Sequence, residues 1–192
     1  DEDNISIKIN EEEVRVNKHF YLLLNKPKGY VSTTVSDNDK TVIDLVPDKY
    51  KTRTLFPAGR LDKDTTGLML ITDDGVFAHN ILSPKKHIKK VYEVVIDKDV
   101  SDEMVYGFRD GVKLNDGECK SALLEKIDTN KCLVTLTEGR YHQIKRMFGT
   151  YKAKVIELKR ICMGELYLPS DLAVGKVREV SDEELLKIQS KK

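Results

Sequence analysis

The segment Pro57 to Gly75 constrains this chain more than any other: a Pro/Gly turn, the triplet Arg60-Leu61-Asp62, a second glycine at Gly67, the apolar run Leu68 to Ile71, then Asp73-Asp74-Gly75. Apolar runs bounded by turn-formers read as strands, so the order is loop, strand, turn. One carboxylate, Asp62, sits between an arginine and the glycines, in a loop of the kind that can hold an acid where chemistry happens.

The chain of 192 residues is 40% apolar and 34% charged, enough to bury a real core as one ordinary domain or two closely packed halves. Its 33 basic and 32 acidic side chains leave a formal charge of +1, so total charge does not announce a nucleic-acid binder. The distribution says more. Residues 1–13 carry six acids against Lys8, Pro84 to Lys90 holds four lysines and no acid, and Arg140 to Arg160 holds seven Lys/Arg against Glu157. A charge run is by default a solvated face, but two basic runs flanking a candidate site favour phosphate contacts and salt-sensitive binding.

Cys119, Cys132 and Cys162 are widely spaced and include no Cys-x-x-Cys pair, which suggests neither a disulfide framework nor a zinc knuckle and fits a reducing cytoplasm. His19, His79, His87 and His142 show no metal-ligand spacing and read as surface or packing residues. No apolar run is long enough to span a membrane.

Ile5, Ile7 and Ile9 alternate with polar residues before Glu11-Glu12-Glu13, as in a strand and turn. Tyr21–Leu24 and Val31–Thr34 bracket Asn25-Lys26-Pro27-Lys28-Gly29, which predicts a hairpin. Thr41–Val46 predicts a short helix ending before Pro47, and Val76–Leu82 a helix capped by Asp73 or Asp74. Val91–Ile96 and Leu133–Thr137 predict strands. Ser101 predicts the cap of a helix through Phe108 that ends near Gly111, and Ser181-x-x-Glu184 the capping box of a last helix. Over Tyr141–Tyr151, Ile144, Met147, Phe148 and Tyr151 form an apolar helical stripe with Lys145 and Arg146 at its rim. Strands interleaved with short helices and close turns give an α+β class, a mixed, mainly antiparallel sheet with flanking short helices.

Gly59-Arg60-Leu61-Asp62 followed by Thr66-Gly67-Leu68 resembles the signature of the pseudouridine synthases. Lys90-Val91-Tyr92 is similar to that family's Lys-x-Tyr element, and Glu138-Gly139-Arg140-Tyr141-His142-Gln143-Ile144-Lys145-Arg146-Met147-Phe148 to the third element of its small-subunit rRNA branch, the RsuA type. The turn Asn25-Lys26-Pro27-x-Gly29 is also similar, and the resemblance covers roughly Phe20 to Leu186. It implies the pseudouridine synthase fold with a central cleft over residues 18–192, and reads residues 1–17 as the end of an amino-terminal RNA-binding module of the ribosomal protein S4 type.

The reaction so implied isomerises a uridine of 16S rRNA to pseudouridine and needs no cofactor and no metal. It implies Asp62 as the catalytic carboxylate, nucleophile or base, with Lys145 as its basic partner and Tyr92 as the aromatic wall for the uracil. Family members often carry arginine where Lys145 stands, a more rigid partner. The resemblance also implies Arg60 at the pocket mouth, filling the gap left by the everted uridine, and Leu61 and Ile144 as pocket residues, with a core role the alternative for Ile144. Lys26, Lys89, Lys90, Arg140 and Arg146 are the expected RNA contacts, with Lys28 beside Lys26. The expected partner is ribosomal RNA, naked or in an assembling small subunit, and the protein is expected to act as a monomer.

Three alternatives stay open. One is an enzyme of the large-subunit (23S) branch. Another is a non-catalytic RNA-binding ribosome-assembly protein. The third is a metal-dependent phosphodiesterase using Asp62, Asp64, Asp73 and Asp74, although Asp73-Asp74-Gly75 is better explained by its turn.

Overall fold

The computed structural model describes the backbone of residues 4–9 and 12–17 and the whole of residues 19–190. β1 (Asn4–Ile9) and β2 (Glu12–Asn17) pair antiparallel as a sheet of their own. There follow β3 (Tyr21–Lys26), β4 (Phe56–Ala58), β5 (Thr66–Thr72), α1 (Gly75–Leu82), β6 (Lys90–Ile96) and α2 (Asp102–Asp110). A ribbon of β7 (Lys113–Leu114) and β8 (Gly117–Glu118) leads to β9 (Leu123–Asp128), β10 (Lys131–Leu136) and α3 (Gln143–Gly149). The chain continues with β11 (Val155–Met163), β12 (Leu166–Tyr167), β13 (Val177–Glu179) and α4 (Asp182–Ile188).

Among the described residues, nine strands form the large sheet, in the order β13-β3-β5-β11-β6-β10-β9, with β4 on β5 and β12 on β11. All of its pairings are antiparallel except β5 with β11, which meet over only two residue pairs, Lys159 with Thr66 and Arg160 with Gly67. The mixed, mainly antiparallel sheet read from the sequence is therefore the architecture found.

The run Leu68–Ile71 is unbroken because β5 is covered on both faces. Leu68 and Leu70 join Leu23, Ala58, Phe77 and Ile81 in one core. Met69 and Ile71 join Leu22, Leu24, Val42 and Leu55 in another. A third core, under α2 and α3, packs Phe108, Met147 and Phe148 against Val94, Cys132 and Val134. Each fully buried side chain of this kind contributes about 1.5–3 kcal/mol. The parallel β5–β11 seam joins the doubly covered half of the sheet to the half under α2 and α3.

Capping follows the chemistry of the sequence. The Asp74 carboxylate accepts the Phe77 N–H and starts α1, Ser101 accepts from Met104 N–H, and Ser181 with Glu184 forms a reciprocal box. Asp73 accepts from the Phe20 N–H, His19 and Arg53. Both acids of the Asp-Asp-Gly stop are thus committed to structure, which removes them from any phosphodiesterase metal set. Thr41 opens a single 3₁₀ turn, Val42–Leu45, in place of the short helix that the sequence predicts.

Three other expectations fail. Val31–Thr34 is not the return strand of a hairpin: β3 pairs with β5 and β13, and Val31 makes only an isolated bridge to Thr41. Gly29, at φ +90°, turns the chain so that Ser32 faces the loop around Leu61 instead of a neighbouring strand. Glu12 and Glu13 open β2 rather than a turn, while Glu11 lies outside the described residues. α3 begins at Gln143, later than the apolar stripe suggests, because His142 takes a left-handed backbone (φ 48°).

Gly67 holds the seam. A Cβ there would overlap the Arg160 carbonyl oxygen and lie 2.9 Å from the Arg160 backbone nitrogen, and its φ of +105° suits glycine alone. Gly67→Ala is expected to cost at least about 3 kcal/mol, from backbone strain and overpacking together. Urea unfolding measures this, and an unchanged midpoint would show that β5 and β11 need not approach so closely.

Candidate active site

Residues 59–65 run as an irregular loop from β4 into β5 beside the seam, largely out of solvent at Gly59, Leu61 and Thr65. Buried backbone polar groups outside regular pairing need partners, and three buried side chains supply them. The Arg160 guanidinium donates to the carbonyls of Gly59 (3.0 Å) and Leu68 (2.9 Å). The Ser32 hydroxyl donates to the Leu61 carbonyl (2.7 Å) and accepts the Leu61 N–H (3.0 Å). The Lys26 ammonium lies within 2.8–3.1 Å of the carbonyl oxygens of Pro27, Asp62, Lys63 and Thr65.

The sequence reading makes Lys26 an RNA contact, and the structure corrects it. The Lys26 side chain is completely buried and its charge is consumed by the loop. Burial draws the Lys26 ammonium down to about 8, against Asp64 and Asp62, which raise it. The carbonyl dipoles around it also favour the charged form. Sequence alone could not separate this lysine from Lys28, which is exposed two residues on.

The clamped loop points the Asp62 side chain, about one third exposed, into a cavity of about 490 Å³. Tyr92 from β6, Arg60 and Leu61 from the loop, and Ile144 and Lys145 from α3 line the same cavity. Lys145 Nζ is 3.8 Å from one Asp62 oxygen. His142 Nε2 is 3.3 Å from the other. The structure thus gathers Asp62, Tyr92, Lys145, Leu61 and Ile144 around one space, with Arg60 exposed at its edge.

His142, a surface or packing residue on the sequence reading, is instead a neighbour of Asp62. Its position three residues before Lys145 is the available signal, but the left-handed turn that swings its ring toward Asp62 leaves no mark in the composition. Gln143 fixes that turn. Buried itself, it accepts the Arg140 N–H through Oε1 and donates through Nε2 to Glu138. The Tyr141 and His142 rings stack at 3.8 Å between centroids, with Tyr141 largely exposed.

The remaining expected RNA contacts are more committed than a solvated face would be. Arg140 and Arg146 both pair with Asp116 of the β7–β8 ribbon, Arg146 at 2.9 Å. Arg146 foremost, then Arg140, holds the Asp116 carboxyl below its usual range. Lys89 is half-buried near Cys162, whose thiol is pushed up by burial with Lys89 opposing. Lys90 is also half-buried and lines a smaller neighbouring cavity.

Comparison with known proteins finds relatives of this chain. The family model described as RNA pseudouridylate synthase matches residues 20–150. Ribosomal small subunit pseudouridine synthase A of Escherichia coli (strain K12) is 41% identical over 170 residues, covering 88% of this chain and 73% of that protein. An RNA pseudouridine synthase of Bacillus subtilis (strain 168), YtzG, described as uncharacterized, is 40% identical over 190 residues, covering 96% and 80%. A crystal structure described as a pseudouridylate synthase superposes with a TM-score of 0.84 at 34% identity, covering 95% of this chain and 83% of that one.

Lys26→Met tests the clamp. Leaving buried carbonyls without donors costs about 1–3 kcal/mol per group, so the variant should lose about 3 kcal/mol in urea unfolding while the salt dependence of RNA binding stays unchanged. A normal unfolding midpoint with a reduced salt slope would return Lys26 to the phosphate contacts.

Proposed function

Since the chain belongs to the RNA pseudouridylate synthase family, we propose that it isomerises one uridine of 16S ribosomal RNA to pseudouridine, with Asp62 as the catalytic carboxylate. One observation carries the site assignment: a single loop carboxylate is held between the Lys145 ammonium and the His142 imidazole in a cavity that also presents Tyr92. The choice of 16S rests on relatives named for the small ribosomal subunit at 41–42% identity.

The isomerisation breaks the bond from uracil N1 to the ribose C1′, turns the freed base, joins its C5 to the same C1′, and moves the C5 proton to solvent while N1 gains one. Asp62 acts at the sugar, and the two basic groups beside it orient the carboxylate and offset its desolvation when a base fills the cavity. Tyr92 supplies the surface on which the detached ring stays stacked, about 1–3 kcal/mol per base. Arg60, exposed at the mouth, occupies the gap left in the RNA stack. Everting a base costs a few kcal/mol, least where it is weakly paired, which favours a loop or mismatched uridine.

Carbodiimide mapping of rRNA from cells lacking this protein tests the proposal. One pseudouridine stop in 16S rRNA should be missing, restored by the native chain but not by Asp62→Asn. A missing stop in 23S rRNA instead would move the enzyme to the large-subunit branch, and an unchanged pattern would remove the rRNA assignment. In purified enzyme, Lys145→Ala should abolish turnover while RNA affinity stays within about threefold. The opposite split would make Lys145 a phosphate contact.

A further inference from the structure

A second cavity, of about 270 Å³, adjoins the first and shares Arg60, Tyr92, Glu138 and Gly139 with it. Its other lining residues include apolar Leu82, Pro84 and Ile88, the hydroxyl residues Ser83 and Thr137, and the cations Lys90 and Arg160. Arg160 is already engaged with the carbonyls of Gly59 and Leu68. Glu138, the acid of this cavity, is engaged through Oε1 by the Lys120 N–H and Gln143. Lys90 is different. Among the described residues its ammonium has neither a hydrogen-bond nor an ion-pair partner, and it lies beside Gly139. A half-buried, unpaired cation facing an apolar wall of Leu82, Pro84 and Ile88 fits a ligand with an anionic group on one side and a flat, weakly polar body on the other.

Consecutive nucleotides of one strand must occupy adjoining spaces, and the two cavities have a common wall of Arg60 and Tyr92. We infer that the second cavity seats the nucleotide next to the target uridine, its phosphate on Lys90 and its base against Leu82, Pro84 and Ile88. This rests on the RNA-modifying reading above and adds a flanking subsite to it. The exposed Lys85 and Lys86 stand in the short turn leading to Ile88, where an incoming strand would pass.

Lys90 also gives the subsite a pH signature. Burial, helped by the Arg160 guanidinium, brings its ammonium down to about 8 in the free protein. A bound phosphate favours the charged form and raises that value. Affinity from this contact is therefore complete below pH 8 and is lost as pH rises above it. The other charged and titratable groups sharing the cavity are Arg60, Arg160, Glu138 and Tyr92.

The test is filter binding of a 16S rRNA transcript by the native chain, Lys90→Met, Lys90→Arg and Leu82→Trp. Native affinity should fall between pH 7.5 and 9. Lys90→Met should bind roughly tenfold more weakly at pH 7.5, lower the salt slope by about one and lose the pH dependence. Lys90→Arg should keep the salt slope and bind as well at pH 9 as at 7.5, a gain that misfolding cannot produce. Leu82→Trp, which fills the apolar half, should weaken binding with the salt slope unchanged. Native affinity and salt slope in all three variants would overturn the subsite. Uridine conversion assayed in parallel separates the two readings: conversion without these binding effects removes the subsite alone, and the binding effects without conversion remove the chemistry alone.

Discussion

The site depends on a buried ammonium. Lys26 surrenders its hydration to sit under the loop at Asp62, a transfer that is unfavourable unless the charge is well coordinated, and the coordination comes from backbone carbonyls rather than from an acid. The arrangement is reciprocal, since those carbonyls could not face the interior without a donor. With Ser32 and Arg160 holding the same loop at Leu61 and Gly59, the Asp62 side chain leaves a backbone with little freedom. An active centre needs its reactive groups fixed before the substrate arrives. Here polar groups buried beneath the loop do the fixing, where many sites use regular secondary structure.

Charge around the cavity is organised in compensated sets. Asp62 stands between Lys145 and His142, and Asp116 between Arg140 and Arg146. Arg140 and Arg146 are thereby paired within the protein, on the ribbon of β7 and β8.

Much of this is legible in the residues. Leu68–Ile71 forms a strand, Asp74, Ser101 and Ser181 are caps, and Asp62, Tyr92 and Lys145 come to one cavity. What the sequence conceals is the direction of side chains. Lys26 and Arg160 have the composition of surface residues and are the largest fully buried side chains among the described residues. β11 is hidden for a related reason: Glu157, Lys159 and Arg160 give its segment the look of a basic surface run, and two register shifts against β6 break the alternation that would have marked a strand. The false hairpin at Val31–Thr34 comes from a turn motif that is real but serves the loop opposite.

The clamp draws on residues far apart in the chain, Lys26 and Ser32 before the loop and Arg160 a hundred residues after it. Contacts of such separation are slow to form, and during synthesis they must wait for the later partner to be translated. Until Arg160 has emerged and entered the sheet, the loop bearing Asp62 lacks one of its three anchors. A nascent chain therefore completes the support of the Asp62 loop late, after most of it has left the machine whose small subunit its relatives are named for.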